Sequence, residues 1–301
     1  MSNETEFLRQ HIKSLIVNLP LSIPKQISLV FDGGAFNGGF GAGVGLYLKE
    51  MERHGLLQIK RISGCSVGAL LAVWYMMGCD ERFMSFAQRL YTSVRTTLNL
   101  TGYNNTIGQF IYDLIPSDED VHKFHKKLYI NYYDTRSRRQ RVISKFRDRK
   151  HLVTCLVRSG FIPYLSDNKA RCNGRYVDGI TPYLLRGDPN TLFVNLITPR
   201  KLSRAFKIKS EQDVHYRLLV GVSDANEFFT TGASDMCTYV DQWSWYMQCF
   251  VGLRLWACLI LLGVLEWLLR TSERTPQRIK DHPVCHKIRR WLAKHITLAL
   301  L

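Results

Sequence analysis

The alternation of apolar runs and glycine turns along the chain predicts an α/β fold with a largely parallel sheet. Two consecutive units carry the prediction. In the first, the β-prone run Gln26–Phe31 enters a glycine loop, Asp32-Gly33-Gly34-Ala35-Phe36-Asn37-Gly38-Gly39, and a glycine-punctuated helix follows over Phe40–Arg53. In the second, the apolar run Leu57–Ile62 enters the turn Gly64-Cys65-Ser66-Val67-Gly68, and Ala69–Met77 is apolar and helix-forming. A third observation extends the pattern: short strands are expected at Arg175–Val177, Thr191–Ile197 and His215–Val222.

The remaining elements follow in order. Glu4–Leu19 has an amphipathic period, with Phe7, Leu8, Ile12, Leu15 and Ile16 on one side, and Pro20 and Pro24 end it. The small residues Gly41, Ala42, Gly43 and Gly45 let the helix Phe40–Arg53 approach a neighbour closely. From Asp80 to Lys127 the chain reads as mainly helical. Lys126–Lys150 is strongly basic, with Tyr129, Tyr132, Tyr133 and Phe146 interleaved. A solvated face is the first reading of that stretch, an anionic membrane the second and nucleic acid the third, since no nucleic-acid fold signature accompanies it.

The 301 residues suffice for one large domain or two small ones, and the formal charge of +16 implies an anionic partner. The eight cysteines form no Cys-x-x-Cys pair and no metal-ligand spacing with histidine. Several, such as Cys155, Cys249 and Cys258, sit in apolar runs, which predicts reduced, buried thiols in a cytosolic compartment. Met1–Gln10 is polar, so no cleavable secretory signal is expected. No acidic loop suggests calcium. Neither a metal nor a cofactor is expected.

Two loops could carry chemistry. Gly64-Cys65-Ser66-Val67-Gly68 fits Gly-x-Ser-x-Gly, a strand-to-helix turn that exposes a serine at a helix N-terminus, where negative charge is favoured. Alone, the pattern fits an inert glycine–serine turn as well as a nucleophile. The loop at Gly33 is not a P-loop, since no Gly-Lys-Ser/Thr follows, and it is a poor dinucleotide fingerprint. Its bare N–H groups suit an oxyanion hole, or it is a flexible connection. Asp178 closes a short strand, where catalytic side chains of open α/β sheets gather, and where capping aspartates also sit.

Taken together, these segments resemble the patatin-like phospholipase family. Leu29–Gly38 resembles the family's Gly-Gly-Gly-x-x-Gly loop, Gly64-Cys65-Ser66-Val67-Gly68 its nucleophile turn, and Tyr176-Val177-Asp178-Gly179 its Asp-Gly motif. Arg158-Ser159-Gly160-Phe161-Ile162-Pro163 is similar to the Ala-Ser-x-x-x-Pro stretch before that aspartate, and Gly232–Tyr239 to the Gly-x-x-Asp helix that closes the domain. The Phe36 variant of the loop looks closer to the animal adipose-lipase branch than to the plant storage proteins.

The resemblance implies a three-layer α/β/α sandwich with a mainly parallel sheet. It implies Ser66 as nucleophile, Asp178 as general base, Gly33, Gly34 and Ala35 as the oxyanion hole, and Gly64 and Gly68 as the flanks of the nucleophile turn. The expected function is a serine lipid acyl hydrolase cleaving carboxylic esters of phospholipids or acylglycerols through a Ser–Asp dyad and an acyl-enzyme. The alternative is an inactive lipid-binding or scaffolding protein on the same fold. A triad of Ser66, Asp178 and His215 is a further enzymatic option. Three departures stand out: Ala35 replaces the third glycine, Asn37 replaces a frequent Arg or Lys, and Ile180 replaces a small residue after Asp178-Gly179.

The chain divides as 1–24, an N-terminal amphipathic helix; 25–240, the hydrolase domain; and 241–301, an apolar and basic extension expected to associate with membrane. Leu255–Leu265 is an uninterrupted apolar run flanked by Arg254 and Glu266, which snorkel to opposite faces if the segment spans a bilayer. Arg278–Leu301 reads as a basic interfacial helix. The expected partners are a lipid substrate and an anionic membrane or lipid-droplet surface on the cytoplasmic face, with anchoring through 250–269; nucleic acid ranks last.

Overall fold

The computed structural model describes residues 3–17, 19–20, 23–79, 82–97, 102–163, 166–167, 169–185, 187–198, 200–201 and 214–274. Among these, seven strands form one mixed sheet in the order β4-β3-β2-β1-β6-β7, with β5 also paired to β3. The strands are β1 (Gln26–Phe31), β2 (Gln58–Gly64), β3 (Leu128–Asp134), β4 (Arg139–Ile143), β5 (Tyr176–Val177), β6 (Thr191–Val194) and β7 (Cys237–Tyr239). The centre, β3-β2-β1-β6, is parallel, whereas β4, β5 and β7 pair antiparallel at its margins.

Alternation along β1 and β6 sorts their side chains between two cores. Ile27, Leu29, Phe31, Leu192 and Val194 join the large core, built with helices α1 (Asn3–Ile16), α2 (Gly38–Arg53), α3 (Val67–Met76), α4 (Arg82–Thr97), α5 (Tyr103–Leu114) and α6 (Arg149–Ser159). Val30 and Phe193 point the other way. They meet Leu185, Trp243 and Val251, so the first turns of the C-terminal helix α8 (Trp245–Arg274) cover the second face. On α1, Ile12 and Ile16 are buried but Phe7 is 70% exposed, so the apolar side is narrower than its period suggests.

Several expectations change. His215–Val222 is helical, part of α7 (Val214–Thr231), because its buried Leu218, Val222, Ala225 and Phe229 recur at helical spacing. The tight packing foreseen for the α2 glycines is against this helix: a Cβ on Gly43 would lie 2.1 Å from the Leu218 carbonyl, and one on Gly221 2.1 Å from the Phe40 carbonyl. Gly232–Tyr239 does not close the domain as a helix; its last residues form edge strand β7. The basic stretch hides the hairpin β3–β4. Its Arg136, Arg138, Arg139, Arg141, Lys145, Arg147 and Lys150 are exposed, as on a solvated face. Cys65, Cys79, Cys155, Cys172 and Cys237 are buried, but Cys249 and Cys258 are exposed on α8. Arg278–Leu301 lies outside the described residues, as does the side chain of Glu266.

Candidate active site

The site forms where parallel strands end and helices begin. β2 finishes at Gly64 and α3 starts at Val67, leaving Ser66 in the turn between them with φ 54° and ψ −131°. That backbone is strained for a residue with a side chain, and it is held from outside. The Ser66 N–H donates to Ser159 Oγ (3.0 Å), which in turn donates to the Asn131 carbonyl on β3 (2.7 Å). Ser66 is only 7% exposed. Gly68 leaves no room for any side chain, since its Cβ would lie 2.4 Å from the Asp32 carbonyl at the end of β1. The nucleophile turn and the glycine loop are therefore pressed together.

Gly33 is the nearest part of that loop. A Cβ added there would sit 3.2 Å from Cys65 Sγ and 3.4 Å from Ser66 Cβ. Ala35, standing where the family has glycine, takes the left-handed φ of 46° and leads into a short 3-10 turn at the start of α2. Asn37 holds the loop from behind, donating through Nδ2 to the carbonyls of Leu196 (2.8 Å) and Lys201 (3.1 Å). Arg217, buried on α7, donates to Asn37 Oδ1 (3.1 Å) and to the Phe36 carbonyl. A cation is thus present behind the loop although position 37 is neutral.

Asp178 arrives by a different route. β3 continues beyond its pairing with β2, which ends at Gly64↔Ile130. β4 occupies the other edge of β3, so β5 takes the space past the end of β2, with Tyr133↔Val177 and Asp134↔Tyr176. Arg175 locks this joint, donating to both carboxylate oxygens of Asp134 (2.8 and 2.6 Å), and holds that carboxyl below its ordinary range. The next residue after β5 is Asp178, beside Ser66. Burial pushes its carboxyl up to about 6, opposed by hydrogen bonds from the Ser66 hydroxyl and the Ile180 N–H (2.7 Å) and by the charge of Arg254. Among the described residues no histidine is one of the groups that shift Asp178, and His215 is exposed on α7.

The loop after Asp178 is strained and clamped. Ile180 has φ 60°, a left-handed conformation costly for a β-branched side chain. Asn131 Nδ2 donates to the Thr181 carbonyl (2.8 Å), and its Oδ1 accepts from the Tyr183 N–H (3.2 Å). Arg254 reaches in from α8 and donates to both carboxylate oxygens of Asp32 (2.8 and 2.6 Å) and to the Ile180 carbonyl (3.1 Å). It therefore does not snorkel toward a membrane face. Burial drives the Asp32 carboxyl upward and Arg254 pulls against it. On Arg254, burial acts downward, but the charge and hydrogen bonds of Asp32 win and hold the guanidinium above its ordinary value.

A narrow apolar cavity of about 60 Å³ adjoins Ser66, walled by Phe36, Val67, Leu70, Phe83, Phe86 and Leu90. Stacking of Phe86 on Phe110, with centroids 4.2 Å apart, fixes its outer wall. The side chains lining this slot are apolar apart from Ser66 itself.

The family profile described as patatin-like phospholipase matches residues 29–183. The chain belongs to the patatin-like phospholipase family. The matched residues contain the Gly33 loop, the Ser66 turn and Asp178, while α7 and α8 lie beyond them. No curated protein sequence matches the chain. Membership makes this patatin-like protein a lipid acyl hydrolase in general terms, with an α/β fold. Three supporting residues were not legible as such in the sequence. Asn131 looks like part of a basic, aromatic run, and Arg217 sits in a segment of strand-like composition. Arg254 carried one signal: a lone cation inside an apolar helix, with Asp32 a lone acid at the end of a buried strand.

Proposed function

We propose that this patatin-like protein cleaves carboxylic esters of phospholipids or acylglycerols, with Ser66 as nucleophile and Asp178 as general base. The carrying observation is the Ser66 hydroxyl hydrogen-bonded to a carboxylate whose pKa burial has raised to about 6. A carboxylate with a pKa of about 4 would be a poor base for a hydroxyl, and one with a pKa of about 6 remains ionised at neutral pH while accepting a proton more readily.

In this reading the scissile acyl chain enters the Phe83–Phe86 slot. The Ser66 proton passes to Asp178 as Oγ bonds to the ester carbonyl carbon. Backbone N–H groups of Gly33, Gly34 and Ala35 hold the oxyanion, with Arg217 supporting their loop from behind. Collapse breaks the bond to the leaving alcohol, which takes the proton from Asp178. Water then loses a proton to Asp178 and attacks the acyl carbonyl carbon; collapse breaks the bond to Ser66 Oγ, which takes the proton back from Asp178, and the fatty acid is released. The reaction takes place at a membrane or lipid-droplet surface on the cytoplasmic side.

Fluorophosphonate labelling and ester hydrolysis test the assignment. Wild type is expected to be labelled at Ser66; Ser66→Ala should be neither labelled nor active, and Asp178→Asn should lose activity while staying folded. Wild-type turnover in both variants would remove the dyad, and folded protein that never labels would favour an inert lipid-binding scaffold.

A further inference from the structure

Helix α8 is apolar on two sides, and the protein covers only one. Val251 packs into the smaller core with Met247 against it, and Arg254 enters the site. On the opposite side are Tyr246, Phe250, Leu253, Trp256, Ile260 and Val264, with Leu253 and Trp256 each 65% exposed. At about 100° per residue these six fall within an arc of about 120°, and they extend over about 27 Å of helix. No charged residue between 246 and 264 falls in that arc; Arg254 lies outside it. A continuous apolar stripe of this length marks an interaction surface.

We propose that this stripe docks on an anionic lipid surface, with α8 lying in the plane of the interface rather than across the bilayer. The proposal rests on the lipid-hydrolase reading and says how that activity meets its substrate. Aromatic residues with a polar edge, Tyr246 and Trp256, suit the headgroup level. The other side of α8 is committed to the protein through Val251 and the Arg254–Asp32 pair, so lipid cannot surround the helix. Among the described residues no helix is long and apolar enough to cross a membrane.

Charge selects the occupant. The chain carries +16, so a second copy is repelled where an anionic lipid is attracted. The sequence beyond α8 adds Arg278, Lys280, Lys287, Arg289, Arg290 and Lys294. Basic side chains near an anionic leaflet are drawn to its surface potential. Arg254 donates to the Ile180 carbonyl, two residues past Asp178, and to Asp32, so the docked stripe sits one helix width from the site. A lipid ester then reaches Ser66 without leaving the interface.

Full-length wild type, Leu253→Glu/Ile260→Glu and Ser66→Ala are floated with vesicles of phosphatidylcholine, with and without phosphatidylserine. Wild type and Ser66→Ala are expected to bind the anionic vesicles, and the double variant to bind at least about tenfold more weakly. Turnover of a dispersed short-chain ester should be unchanged in the double variant, which shows it folded; Leu253→Ala/Ile260→Ala is the milder substitute if it is not. Alkaline carbonate should strip bound wild type from the vesicles. Binding unaffected by either double substitution, equal binding to neutral vesicles, resistance to carbonate, or a lipid-free dimer broken by Leu253→Glu would each overturn the proposal. Inactive wild type that still floats through this stripe would instead count against the hydrolase reading alone.

Discussion

Replacing Arg254 with methionine should both loosen the fold and retune the proposed base. Asp32 is fully buried at the end of β1, and Arg254 supplies its charge partner through two short hydrogen bonds. Removing one member of a buried ion pair costs about 3–5 kcal/mol, because the other charge is stranded in a medium that solvates it poorly. For a chain of this size that is on the order of 10 °C in Tm. The catalytic effect has a definite sign. Arg254 lowers the Asp178 pKa, and Asp32, acting more weakly, raises it. Whether the stranded Asp32 stays ionised or takes a proton, Asp178 loses more stabilisation of its anion than it gains, so its pKa moves above about 6. Each unit of that movement is worth about 1.4 kcal/mol and about a tenfold loss of ionised base at acidic pH. The assay is kcat/KM for a dispersed ester from pH 5 to 9, beside thermal unfolding. The acidic limb should shift to higher pH in Arg254→Met, and Asp32→Asn/Arg254→Met should recover much of the stability. An Arg254→Met protein with the wild-type Tm and pH profile would refute the reasoning.

Ile180→Gly should relieve the left-handed strain at φ 60° and raise stability by about 1 kcal/mol in denaturant titration, since the 1–2 kcal/mol of strain exceeds the added chain entropy. Wild-type kcat/KM should rise with pH through about 6 as Asp178 ionises. Stability should move the opposite way: between about pH 4 and 6 the folded protein holds a proton that the unfolded chain has lost, so ionising Asp178 destabilises the fold. Asp178→Asn should therefore unfold at higher temperature than wild type at pH 8, by roughly 1–2 kcal/mol after allowing for partial exposure, while having no turnover. Arg217→Met should lower kcat more than it raises KM, with Arg217→Lys recovering part of the loss, because Arg217 bears on the Gly33 loop through Phe36 and Asn37.

The parts legible in the sequence are those that local chain chemistry dictates. β1 with its glycine loop and β2 with the Ser66 turn were visible because apolar runs, glycines and helix formers occur within a few residues of one another. β5 and Asp178 were visible for the same reason, helped by the turn at Gly174. The hairpin β3–β4 was masked because arginines on the solvated β4 dominate the composition around β3. The α7 segment misled because Val, Tyr and Leu suit strands, and only packing of Gly221 against α2 selects the helix. The supporting residues Asn131, Arg217 and Arg254 act across more than 45 positions, beyond the reach of any local pattern.

The early end of β2 is a ruler that both halves of the proposed dyad share. It sets where Ser66 leaves the sheet, and by falling short of β3 it leaves the berth that β5 fills. Arg175 fastens β5 in that berth, but it is the length of a strand more than a hundred positions before Asp178 that leaves the berth open. An insertion that lengthened β2 would carry the serine outward and evict the aspartate in one step.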